Sequence, residues 1–144
     1  MKKKLLSVLT ILILAIGVSA CAEDVTDIDG IEINIGSSAD FSNREIMDAV
    51  HLVIKEFDFA GCTLTHLWYD EEESATMVGQ YMRGGRGSSN GVLRENVIVL
   101  LSNFDVDSSV VNSPLNPDST YTNWNWILIR DSKNAPWRVD DWGY

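Results

Sequence analysis

His51 and His66 are the two histidines of this chain, the side chains whose unperturbed pKa best suits proton transfer near neutral pH. His66 falls in a β-rich stretch where strict alternation puts Cys62, Leu64, His66 and Trp68 on one face, and a carboxylate such as Asp141 beside it would complete a general acid/base pair. No residue spacing demands that pair, and a structural or surface histidine is the competing reading. Covalent hydrolysis and zinc chemistry find no support, because the chain has no Gly-x-Ser-x-Gly elbow and no Cys/His spacing of a zinc site. The glycine-rich stretch Gly84–Gly91 lacks the Lys-Ser/Thr ending of a phosphate loop. Asp105-Val106-Asp107-Ser108-Ser109 imitates the opening of a calcium loop, but Val110 and Asn116 stand where glycine and the bidentate glutamate belong. We therefore expect neither a metal nor a cofactor.

The other chemically suggestive side chains are aromatic and late: Tyr121, Trp124, Trp126, Trp137, Trp142 and Tyr144. Tryptophans on a sheet stack on ligands, and they also fill small cores. Trp124 and Trp142 are the candidates for a ligand pocket.

The first residues carry an address. Lys2, Lys3 and Lys4 precede an apolar run from Leu5 to Val18, then Ser19-Ala20-Cys21, the basic, hydrophobic and small-residue parts of a secretory signal. The run is too short for a membrane span and is followed by acids rather than by a basic stop. A cysteine directly after the small residues is the lipid-attachment position of a lipoprotein, so Cys21 is expected to carry the lipid and Cys62 to be left as an unpaired, buried thiol. The expected division is a signal peptide at residues 1–20, an acidic tether at 21–29 and one domain at 30–144. Removing the signal moves the net charge from −10 to −13, which argues against nucleic acid as a partner. The expected place is the outer face of the cytoplasmic membrane, held by the lipid, or free secretion.

Several elements must position these residues. Ile31, Ile33 and Ile35 alternate with polar residues as in a half-buried strand. Ser42 with Glu45 forms a capping box, and Ile46, Ala49, Val50, Val53, Ile54 and Phe57 follow at helical spacing. A strand over Cys62–Tyr69 leads to the acids Asp70–Glu73, which suit the first turn of a second helix. The apolar run Val97–Leu101 implies a central strand buried on both faces, and Tyr121–Arg130 with Trp137–Tyr144 forms a hairpin. The order β-α-β-α-β-β-β suggests an α+β domain with a long N-terminal helix packed on a curved, mainly antiparallel sheet.

Phe41-Ser42-Asn43-Arg44-Glu45-Ile46, Leu67-Trp68-Tyr69-Asp70-Glu71-Glu72, Glu95–Ser102, Asn116–Tyr121, Trp124–Arg130 and the ending Trp137-Arg138-Val139-Asp140-Asp141-Trp142-Gly143-Tyr144 resemble small bacterial lipoproteins carrying a domain of unknown function similar to DUF4829. That resemblance implies a cone-like fold of the NTF2-like/cystatin-like superfamily enclosing a pocket, and it admits a homodimer through the sheet. It implies no reaction, since such folds host enzymes and binders alike. Three functions stay open: a non-catalytic binding or accessory lipoprotein with a small ligand or an envelope protein as partner, a small enzyme using His66 with a carboxylate, and an acidic inhibitor or immunity-type protein. The first requires a pocket without converging titratable groups; the second requires His66 in the pocket beside an acid.

Overall fold

A computed structural model describes residues 24–144. Its elements run β1 (Asp24–Ile28), β2 (Ile31–Ile35), α1 (Asn43–Glu56), β3 (Cys62–Tyr69), α2 (Glu71–Gly84), β4 (Val97–Val106), β5 (Ser119–Ile129) and β6 (Arg138–Gly143), with single 3-10 turns at Arg86–Ser88 and Arg94–Asn96. The strands form one six-stranded sheet in the order β1-β2-β3-β4-β5-β6. The β2/β3 pair is parallel and the other pairs are antiparallel. Signal residues 1–20 and Cys21 lie outside the described residues. Among the described residues no helix is long and apolar enough to cross a membrane.

The expected fold class is overturned. The sheet is open and mixed rather than a cone, and no long helix dominates it: α1 and α2 have 14 residues each. Ile98 and Leu100 of β4 pack in the core that holds Ile46, Val50 and Val53 of α1, whereas Val97 and Val99 pack with Val78 and Tyr81 of α2. Successive strand residues point to opposite faces, so the helices cover opposite faces of the sheet. The continuous apolar run of β4 requires cover on both sides, and a sheet curled around one helix leaves one side wet.

The sheet also begins earlier than alternation indicated. Asp24–Ile28, within the stretch read as a tether, pairs with β2. Asp29 and Gly30 take φ values of 54° and 82°, the two positive values of a type I′ hairpin turn, for which Asp-Gly is a preferred pair.

The first helix forms as its sequence dictates. Ser42 Oγ accepts the Glu45 N–H while Glu45 reaches back to the Ser42 N–H, closing the capping box. Ile46, Val50 and Val53 are fully buried, worth about 2 kcal/mol each. The second helix starts at Asp70, whose carboxylate accepts the Glu73 N–H at 2.8 Å. The acidic run is thus a helix start.

Three register shifts break the strict alternation assumed from sequence. One falls between Leu64 and His66, where Thr65 donates its hydroxyl to the Asn103 carbonyl. Beyond it Leu67 and Tyr69, not His66 and Trp68, continue the buried face begun by Leu64. The others fall between Ser102 and Phe104 and between Ile127 and Leu128. They decide where the aromatic side chains go.

Candidate functional site

An aromatic assembly occupies the C-terminal end of α1. Phe57 and Phe59, just past the helix, meet Phe104 of β4 with ring centroids 5.6 Å away in each case. Tyr121 stacks on Phe104 at 5.2 Å, and Trp124 stands edge-on to both. Tyr121 and Trp124 differ in parity, so a regular strand would send them to opposite faces. Asn123, at φ 56° with its N–H donated to Asn103 Oδ1, absorbs the extra residue and keeps both on the α1 side.

The shift in β6 does the same for Trp142. Val139 pairs with Leu128 and Trp142 with Trp126. Residues 139 and 142 therefore share the α1 face, and Trp142 stacks on Trp126 at 6.4 Å. Asp141 pairs with Ile127, and the carboxylate of Asp140 meets Tyr81 of α2 on the far face.

Between these rings and the loop after β4 lies a cavity of about 600 Å³. Trp124, Trp142 and Phe59 form one wall and Val110, Val111 and Leu115 the other, with Gly61 at the base. The structure thus brings together the two tryptophans that the sequence suggested for a ligand. No titratable side chain lines the cavity. Two of its apolar side chains stand largely in solvent, Trp142 at 54% and Val111 at 77% exposure, beside the exposed Asn112 and Ser113. The loop is anchored where it meets the turn before β3, since Asp107 donates its N–H to the Gly61 carbonyl at 2.8 Å. Gly61 has φ +70°, and a Cβ there would sit 2.4 Å from Val110 Cγ2, so only glycine fits. The Ser109 hydroxyl, and after it the Ser109 N–H that Asp107 also accepts, hold the Asp107 carboxyl below the usual range. Asp105 accepts from Thr120. The calcium-like run is thus the end of β4 followed by a hydrogen-bonded turn. Trp124 Nε1 is buried without a hydrogen-bond partner, in a ring nearly perpendicular to Phe59, Phe104, Tyr121 and Tyr144.

The histidines lie elsewhere. His66 is exposed, with Nε2 at 3.3 Å from Glu32 of β2 and Nδ1 at 3.1 Å from its neighbour Thr65. Asp141 lies on β6, three strands away, a separation of about 14 Å at the usual strand spacing. The pair imagined from sequence does not meet. His51 is exposed on α1, where it lines a cavity between that helix and the turn joining β5 to β6. Cys62 is a free thiol whose pKa burial pushes up, an unreactive setting. Among the described residues no group of three His, Cys, Asp or Glu is placed to hold a metal ion.

Two polar networks went unnoticed in the sequence. At the start of α1, Glu45 Oε1 accepts from Arg130 Nη1 at 2.7 Å, Arg130 Nε donates to Asn96 and the guanidinium lies 4.3 Å over the Trp137 ring. Trp137 Nε1 donates to the Glu45 carbonyl. The Ser42 backbone bond, with Arg130 adding to it against the cost of burial, lowers the Glu45 pKa to about 2. On the other face Tyr81 donates its hydroxyl to Asp140 at 2.6 Å and accepts from Asn90, while Arg86 approaches the same carboxylate at 3.4 Å. Burial, reinforced by Asp140, raises the Tyr81 pKa to about 12. Both networks join residues dozens of positions apart, which no local pattern signals. Each locks one helix to the β5–β6 hairpin.

No curated protein and no solved structure matches this chain. One family model does, that of the domain of unknown function DUF4829, and it covers residues 43–143, from the first residue of α1 through the end of β6. The chain belongs to the DUF4829 family.

Proposed function

We propose that this protein is an exported, lipid-anchored binding domain that takes an apolar, aromatic or ring-bearing small molecule between Trp124 and Trp142. The observation that carries the reading is the cavity of about 600 Å³ whose lining is mainly aromatic and aliphatic, with the polar side chains of Ser109, Asn112 and Ser113 and no titratable group. Such a lining favours retention over chemistry, since acid/base and nucleophilic catalysis need a titratable side chain at the reacting atoms. His66 does not meet Asp141; the carboxylate beside it is Glu32, and neither residue lines the Trp124/Trp142 cavity. Export and anchoring at Cys21 are supported by Lys2-Lys3-Lys4, the apolar run and Ser19-Ala20-Cys21. The anchor would keep the cavity near the membrane surface, where apolar molecules collect.

Native mass spectrometry of the protein released from its host membrane tests both parts. A chain beginning at Cys21 with a lipid mass and a bound molecule that leaves on mild unfolding is the expected spectrum. A chain without lipid overturns the anchor. A chain that carries no molecule, and whose tryptophan emission does not respond to the neutral dye N-phenyl-1-naphthylamine, overturns the binding role.

A further inference from the structure

A second large cavity, about 810 Å³, lies between α1 and the turn that joins β5 to β6. Its charge is opposite to that of the chain. Residues 24–144 contain eight lysines and arginines, and four of them, Arg44, Lys55, Arg130 and Lys133, line this one space. Arg130 is neutralised by Glu45 at its back wall. Arg44, Lys55 and Lys133 make no ion pair or hydrogen bond with any described residue, and one carboxylate, Asp48, remains to oppose them. By contrast Arg86, Arg94 and Arg138 are each engaged with protein oxygens elsewhere. In a chain of net charge −10, with acids abundant everywhere, three cations left unpaired around one concavity form a local positive lobe that focuses anions.

We infer that this cavity is a binding site for a phosphate-bearing molecule. Lys55 and Lys133 reach the space from the helix and from the turn, and Arg44, eleven residues before Lys55 and so about 16 Å from it along α1, borders its other end. Ammonium donors spread along a concavity suit a phosphate with several acceptor oxygens better than a planar carboxylate, whose usual partner is a bidentate arginine fork. Trp137 and Pro136 supply an apolar surface beside the cations, where the organic part of the ligand lies. This site is separate from the Trp124/Trp142 cavity, shares no lining residue with it and does not depend on what that cavity holds. A phosphate group of this kind comes either from a soluble phosphorylated metabolite or from the headgroup of an anionic phospholipid.

The test titrates the full chain with inorganic phosphate and glycerol 3-phosphate, followed by calorimetry, and separately with phosphatidylcholine vesicles with and without phosphatidylglycerol, followed by co-sedimentation. The double variant Lys55→Gln/Lys133→Gln removes two exposed charges without touching the core, and Arg83→Gln, an unpaired cation on α2, controls for loss of charge at large. Saturable binding that the double variant weakens at least about tenfold, the loss of one or more charge-assisted contacts, and that Arg83→Gln leaves unchanged is the expected result. Binding to the soluble phosphates assigns the site to a metabolite; binding only to vesicles with phosphatidylglycerol assigns it to a headgroup. Absence of saturable binding to every probe, or equal weakening by Arg83→Gln, overturns the site.

Discussion

The two ends of α1 both rest on tryptophan, but they treat its neighbours differently. At the N-terminal end the Trp137 indole donates to Glu45, carries Arg130 on its face and packs edge-on to Phe41, so its polar atom is committed and Trp137 is buried. At the C-terminal end Trp142 stands half in solvent and Trp124 Nε1 has no acceptor, and the rings border an open cavity. A polar atom fixed by a partner specifies one arrangement, whereas surfaces held by ring contacts alone tolerate an insertion. The first end holds its tryptophan in a clamp at the edge of the basic cavity, the second leaves its tryptophans as walls of a receptacle, and four experiments separate them.

The largest effect is expected at the clamp. Glu45→Ala leaves Arg130, 4% exposed, without its counter-charge and removes the capping box, a loss of about 3–5 kcal/mol in urea denaturation. The companion Glu45→Ala/Arg130→Met recovers part of it, because a buried apolar chain needs no partner. If Glu45→Ala costs under about 1 kcal/mol, the range of a surface pair, the clamp is only a surface contact and the contrast between the ends fails.

Acid titration opens the same clamp without mutation. The Glu45 pKa is lowered from 4.5 to about 2 in the folded protein, so its contribution is fully present above the unfolded value and is lost as pH falls through the folded one. Between pH 4.5 and 2 the wild type should lose about 3 kcal/mol more than Glu45→Gln, in which this group no longer titrates. Parallel stability curves for the two proteins would show that Glu45 is not held in its charged form.

These experiments also mark what was legible in the sequence. Ser42 and Glu45 announced the start of α1 because a capping box is local, and Trp124 and Trp142 were named for a pocket from their side-chain chemistry alone. The run Val97–Leu101 signals burial on both faces, but nothing local in it says that α1 covers one face and α2 the other, which is why the open two-sided sheet is not legible from it. Strict alternation puts His66 inward, because Thr65 gives no sequence sign that it is the extra residue of a bulge. The same kind of irregularity acted in the opposite sense at Asn123 and in β6, where strict alternation separates side chains that the bulges reunite. Arg130 was invisible as a partner of Glu45 because the two are joined only once β5 has reached the sheet.

A third experiment moves to the receptacle. Gly61→Ala forces a methyl group against Val110 at a residue with positive φ, for a cost of about 1–2 kcal/mol. Its wall must shift, so dye binding falls together with stability. Unchanged dye affinity would mean that the loop around Val110 is not part of the site.

The smallest effect on stability carries the sharpest distinction. Trp142→Ala removes a ring that is 54% exposed and lies over Trp126 without a hydrogen bond from its indole, so unfolding free energy should fall by about 1 kcal/mol or less. The same change removes one wall of the cavity and should weaken N-phenyl-1-naphthylamine binding about tenfold, the order expected when stacking on a large aromatic surface is lost. The clamp behaves in reverse, since Glu45→Ala weakens the fold while leaving the cavity walls in place in the molecules that remain folded. A Trp142→Ala protein that loses several kcal/mol of stability and none of its dye affinity would reassign that ring to the core, and the two ends of α1 would then be two versions of the same clamp.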